Sequence, residues 1–194
     1  MRLELFHTKQ KLSASLILQI IRFVEGVGTD IVRLFFYRKE YFGELFQSHV
    51  RHVLRGESDW SYGDRELMAA FISSKNRCRY CADAHRAVAA QFVGDGTAAA
   101  VVSSPPDTAP VNERLRAMLA FLEKLTLSPR DVGPSDVEPL RRAGISDDAI
   151  ENAIEVCVHF CIINRLADTF GFRLHTPSEL EKEAKLLSTK HYKL

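Results

Sequence analysis

Apolar residues recur at intervals of three and four along nearly the whole chain, and no period-two alternation outlasts a few residues. That spacing gathers side chains on one helical face, whereas a half-buried strand would need every second residue apolar. The expected fold class is therefore all-α, a multihelical bundle forming one domain, 1–194. Leu12, Leu16 and Ile20 mark a first segment ending near Val24, and a second is expected from Ile31 to Leu54, stopped by Gly56. Ser61 with Asp64 is a start signal for a third, which carries Leu67, Met68, Phe71 and Ile72. The polar stretch SSKNRC then interrupts the pattern, and a fourth helix runs from there to Phe92 or Val93.

The segment 97–110, TAAAVVSSPPDTAP, is small, polar and proline-rich, and reads as an internal linker with one short helical turn at its start. Leu115, Leu119, Leu122 and Leu125 define the next helix, stopped by Pro129, and a short one follows from Ser135 to Arg142. Ser146, with Asp147 and Asp148, opens a long apolar helix to about Phe170. Thr176 to Glu179 reads TPSE, a capping box with proline at the first helical position. The charged stretch from Leu180 to Leu194 is expected to be peripheral.

Composition narrows the function classes. Of 194 residues 46% are hydrophobic, enough for a core, and 26 basic residues nearly balance 25 acidic ones. With no polybasic block, nucleic acid is not an expected partner. The run from Leu12 to Val24 contains Gln19 and Arg22 and is too short to span a bilayer, so no membrane association is expected. It also lacks a small-residue cleavage site, which argues against a secretory signal. Four cysteines do not make a disulfide scaffold, and a reducing cytoplasm is the expected compartment.

The most informative stretch is ELMAAFISSKNRCRYCADAH, from Glu66 to His85. Cys78 and Cys81 are three apart and His85 is four further on, so the three groups share a helical stripe. A thiol near its ordinary pKa is mostly protonated in the cell and needs help to react. Cys78 would stand in the first helical turn, where unpaired N–H groups favour a thiolate. Cys81 has His85 one turn away to take its proton. These arguments select different sulfurs; a dedicated base tips the reading to Cys81 as attacking thiol, with Cys78 resolving the sulfenate to a disulfide. Tyr80 could relay a proton or simply pack. Lys75 and Arg77 read more plainly as a solvated basic edge.

Two other readings compete. Cys78, Cys81 and His85 are suitable zinc ligands, but a fourth strong ligand is wanted and only Glu66 offers itself. Alternatively, the cysteines are packed as small hydrophobes. Elsewhere, Cys157 and Cys161 flank His159 in the apolar VCVHFCII and read as helix core. His49 and His52 are spaced for a shared metal but lack a further ligand nearby, so no metal site is assigned. Asn164, Arg165 and Asp168 read as an interhelical brace, and Trp60 as a packing anchor. The aromatic stretch Phe35, Phe36, Tyr37, Tyr41, Phe42 and Phe46 reads as core or interface.

Glu66, Cys78-Arg79-Tyr80-Cys81 and His85 together resemble the E…CxxC…H signature of the alkyl hydroperoxidase D-like proteins, in the carboxymuconolactone decarboxylase superfamily. The spacings are 12 (78 − 66), three and four. The segment from Ser146 to Phe172, ending NRLADTFGF, resembles the group's second hallmark. The resemblance covers about 34–172, leaving an N-terminal helical extension, 1–33, and a charged C-terminal helix, 176–194.

This resemblance implies a peroxidase, with Cys81 as the peroxide-reactive sulfur and Cys78 as its resolving partner. It also implies His85 as the activating base and Glu66 as the carboxylate of the same relay. Tyr80 stands where alkyl hydroperoxidase D has histidine, while tyrosine is familiar in the peroxidase-related branch. The chemistry needs no cofactor. The expected partners are a peroxide substrate and a thiol or dithiol reductant protein of open identity; the family implies a homo-oligomer (dimer, trimer or hexamer). A decarboxylase-like small-molecule enzyme and a non-catalytic helical oligomer are the alternatives.

Overall fold

The computed structural model describes residues 30–190 together with Gln19 and Tyr192. The segment expected from Leu12 to Val24 lies, Gln19 aside, outside the described residues. Among the described residues every regular element is helical: α1 (Asp30–Tyr37), α2 (Lys39–Phe42), α3 (Glu44–Arg55), α4 (Tyr62–Lys75), α5 (Arg79–Val93), α6 (Asp95–Ser103), α7 (Glu113–Leu127), α8 (Pro134–Arg142), α9 (Asp147–Phe170) and α10 (Pro177–Lys190). Short 3₁₀ turns at Pro106–Thr108 and Pro129–Asp131 flank α7.

Helix α4 is the central strut. Every residue from Arg65 to Ser73 is buried, and a helix covered on all sides must be enclosed by its neighbours. The enclosing helices are α5, α6, α7 and α9. Ser61 starts α4 with a reciprocal cap: its Oγ accepts from Asp64 N at 3.1 Å and Asp64 Oδ2 accepts from Ser61 N at 3.1 Å. Such a cap stabilises a helix start by about 1 kcal/mol. Gly63 lets the start of α4 approach the end of α5, because a Cβ there would lie 2.9 Å from Phe92 Cβ. Ser146 caps α9 through Ala149 N at 3.2 Å, and Thr176 and Glu179 form the expected box at the start of α10.

Buried polar groups tie the helices together. Trp60 Nε1 donates to Ala149 O at 2.8 Å, and Ser73 Oγ donates to Asn164 Oδ1 at 3.1 Å. Arg65 donates to the carbonyls of Val53 and Gly56, satisfying acceptors that the end of α3 leaves without helical partners.

Three expectations are corrected. The single helix expected from Ile31 to Leu54 is three pieces, because the chain leaves helical geometry at Arg38 (φ −133°, ψ 67°) and again at Gly43 (ψ −142°). A Cβ at Gly43 would collide with the Lys39 carbonyl. The expected linker is helical over Asp95–Ser103, where Ala98 and Val101 are fully buried; its alanines favour helix, and their small side chains pack closely. The C-terminal stretch is not peripheral: α10 packs on α5 and buries Glu183 and Ala184.

Candidate active site

The CxxC pair is positioned by the turn between α4 and α5. Cys78 N donates to Ser73 O at 2.9 Å and Arg77 N to Ser74 O at 2.9 Å, the paired closure of a Schellman motif. Arg77 takes its left-handed position at φ +60°. Cys78 is thereby the N-cap residue of α5, and Cys81 lies in its first turn. Both thiols are buried, at 0% and 2% exposure.

The cysteine pairs stand 3.7–4.0 Å apart as free thiols. Hydrogen bonding from the Cys81 thiol, helped by the Cys81 backbone N–H, lowers the Cys78 pKa against the opposing effects of burial and of Asp168. The same bond to Cys78, then burial, pushes Cys81 well up. Of the two sulfurs, Cys78 is thus the one whose ionisation the surroundings favour.

Glu66 and His85 meet across the α4–α5 interface, with His85 Nδ1 2.7 Å from Glu66 Oε2. Burial pushes the Glu66 carboxyl up, but the His85 hydrogen bond and charge, with Arg55, outweigh it and hold the group below its usual range. An ionised carboxylate only accepts, so Nδ1 carries the hydrogen and Nε2 is the nitrogen left to exchange a proton. The ring of His85 rests edge-on against Phe160, centroids 4.5 Å apart.

Tyr80 packs away from this pair. Its ring lies edge-on to Phe172 and tilted to His175, each at 5.1 Å, and burial raises its hydroxyl pKa well above normal. The Glu66–His85 contact is direct. His175 Nδ1 lies 2.9 Å from Glu183 Oε2, close enough for an ion pair but off-line for a hydrogen bond. Burial lowers the His175 pKa, yet Glu183 outweighs it and the net shift is upward.

Two residues that the sequence reading passed over complete the Glu66 environment. Arg55 Nη2, from the end of α3, donates to Oε1 at 2.6 Å, and the Tyr192 hydroxyl donates to the same oxygen at 2.9 Å. Arg55 sits in a helix's last turn, where a basic residue is unremarkable, and Tyr192 lies in a stretch taken as peripheral. Neither carried a motif that singled it out.

The remaining sequence candidates separate. Lys75 pairs with Glu123 at 2.7 Å. His159 is buried, stacks on Phe46 at 4.8 Å and lies 5.0 Å from the His49 ring; burial, then His49, lowers its pKa to about 4. Cys157 is buried and Cys161 is half-buried; the Cys157 thiol, with Asn76 and Arg165, draws Cys161 down to about 5 against burial. Among the described residues, no three potential metal ligands converge. Nor is any described helix long and apolar enough to cross a membrane.

No family model and no curated relative matches the chain. Solved structures do. An uncharacterized peroxidase-related protein from Silicibacter sp. TM1040 is 26% identical, covers 88% of this chain and 88% of its own, and superposes with a TM-score of 0.75. The chain shares that protein's fold. A second solved structure of the same fold, from Ralstonia eutropha JMP134, is described as an alkylhydroperoxidase AhpD core and an uncharacterized peroxidase-related protein. It is 23% identical, covering 90% of this chain and 92% of its own, with a TM-score of 0.76.

Proposed function

We propose that the protein is a thiol-dependent peroxidase that reduces hydroperoxides through the Cys78–Cys81 pair. The observation that carries this reading is the buried Glu66–His85 pair, one helical turn along α5 from a dithiol at that helix's N-terminus. His85 takes the Cys81 proton, and the sulfur attacks the distal peroxide oxygen. The O–O bond breaks, the leaving alkoxide takes a proton and departs as alcohol, and Cys81 becomes a sulfenic acid. Cys78 attacks that sulfur, hydroxide leaves as water, and a disulfide remains. Two electrons have passed from the thiols to the peroxide; an external thiol or dithiol reductant returns them.

The lowering of the Cys78 pKa and the raising of that of Cys81 favour a second order of events, in which Cys78 attacks and Cys81 resolves. Single serine variants separate the two. The attacking sulfur is the one whose loss abolishes sulfenate formation, and loss of the resolving sulfur traps a sulfenate that dimedone labels. Peroxide-dependent disappearance of the paired thiols supports the proposal, and unchanged peroxide consumption in the double variant Cys78→Ser/Cys81→Ser sinks it; turnover of another small molecule that survives in the double variant would point to acid–base chemistry of the decarboxylase kind at His85. Stoichiometric zinc with unreactive thiols would instead mark a non-catalytic protein. We also propose self-association, for which the exposure of Val158 and Ile162 one turn apart on α9 is the support; a monomer in sedimentation would exclude it.

A further inference from the structure

Glu66 presents its two oxygens to different partners. Oε2 faces His85, while Oε1 accepts from both Arg55 and Tyr192. Tyr192 follows α10 by two residues and arrives from the far end of the sequence, 126 residues from Glu66. Its hydroxyl oxygen is also 3.5 Å from His85 Nδ1, and its ring lies beneath the Arg55 guanidinium, 4.7 Å from centroid to Cζ. The residue holds these contacts at φ +60°, a backbone conformation that costs a tyrosine energy and so calls for compensation by its surroundings.

We propose that Tyr192 is a positioning residue of this site: its hydroxyl, donated to Glu66 Oε1, helps hold the carboxylate that orients His85. The inference rests on the reading of His85 as the working base. Burial, then the Glu66 charge, raises the Tyr192 phenol pKa, so it stays a neutral donor. A carboxylate that shares its charge with a second donor is a weaker acceptor for His85 Nδ1–H. Removing the hydroxyl therefore concentrates the negative charge on the His85 side and favours imidazolium, leaving less free base at a given pH. The other groups that bear on the cluster are Arg55 from α3, Arg65 from α4 and Glu183 from α10; Tyr192→Phe removes none of these charges and keeps the ring that faces Arg55.

Two variants of the full chain distinguish hydroxyl from ring. Tyr192→Phe keeps the ring under Arg55 and removes only the donor; Tyr192→Leu removes both. The readout is the titration midpoint of His85 by NMR of histidine-labelled protein, assigned by its loss in His85→Gln. In Tyr192→Phe the midpoint should rise by roughly 0.5–1 pH unit, while thermal unfolding stays cooperative. An unmoved midpoint in Tyr192→Phe, or a shift confined to Tyr192→Leu, overturns the proposal. The unaltered chain supplies a check that needs no variant: a slowly exchanging Tyr192 hydroxyl proton with a cross-relaxation contact to the His85 ring is expected, and its absence also overturns the idea. Peroxide turnover is followed in parallel. A shifted midpoint in an enzyme that consumes no peroxide would leave the positioning role standing and remove the peroxidase reading; a peroxidase with an unmoved midpoint would do the reverse.

Discussion

Glu66 Oε2 lies 2.7 Å from His85 Nδ1, joining adjacent helices through residues nineteen apart in sequence. The carboxylate has no exposed surface and also neutralises the buried Arg55 guanidinium. Glu66→Gln keeps the shape but removes the charge that balances both bases. Breaking a buried pair in this way destabilises by about 3 kcal/mol, measured by urea unfolding. If the peroxidase reading holds, turnover should fall about 100-fold with it.

The same carboxyl fixes a pH signature. Its folded-state pKa is depressed, so the stability it contributes is present above the ordinary carboxylate range and is lost as pH falls through the depressed value. Acid unfolding of Glu66→Gln should therefore be shallower than that of the wild type over this window. Equal slopes would count against an ionised Glu66.

His159 should produce a second acid effect with a different window. Its folded pKa is lowered to about 4, against an ordinary 6.5, so the unfolded chain takes up the proton first. Stability is lost as pH falls from the ordinary histidine range toward the folded value. Between pH 7 and pH 5 the wild type should lose about 2 kcal/mol that His159→Leu retains. Parallel stability curves for the two proteins would contradict this.

Gly63→Ala tests the close approach of α4 and α5. The added methyl meets Phe92 Cβ at 2.9 Å and Val93 Cγ1 at 3.1 Å, so the end of α5 must shift. Overpacking outweighs the better helix propensity of alanine, and a net loss of about 1–2 kcal/mol is expected in the urea midpoint. Wild-type stability would show that the helices part easily.

Arg77→Gly tests the turn that sets the dithiol. Arginine is strained at φ +60° and its side chain is exposed, so glycine relieves strain without emptying the core. A gain of up to about 1 kcal/mol, or roughly 2–4 °C in Tm, should follow. A drop in Tm would mean that the side chain itself supports the turn.

Much of this architecture was legible in local chemistry. Ser61, Ser146 and the Thr176–Glu179 box each announce a helix start through short-range hydrogen bonds, and those starts appear where expected. Glu66 and His85 were paired through the motif's spacing and resemblance. The break at Gly43 is not legible because the apolar pattern continues across it, while the close approach that excludes a Cβ there involves only the Lys39 backbone. The helix at Asp95–Ser103 was missed because its small residues look like linker until α4 and α5 bury Ala98 and Val101. Arg55 and Tyr192 are invisible in the sequence for another reason: they converge on Glu66 only in the folded chain, Arg55 from a neighbouring helix end and Tyr192 from 126 residues away.

Both sulfurs of the CxxC pair sit behind other atoms, at 0% and 2% exposure. Access, then, can limit their chemistry as much as intrinsic nucleophilicity does. Alkylating agents of graded bulk should react at rates that fall steeply with size in the folded chain and converge in urea. Rates independent of bulk would mean that the shell over the thiols opens faster than any reagent arrives.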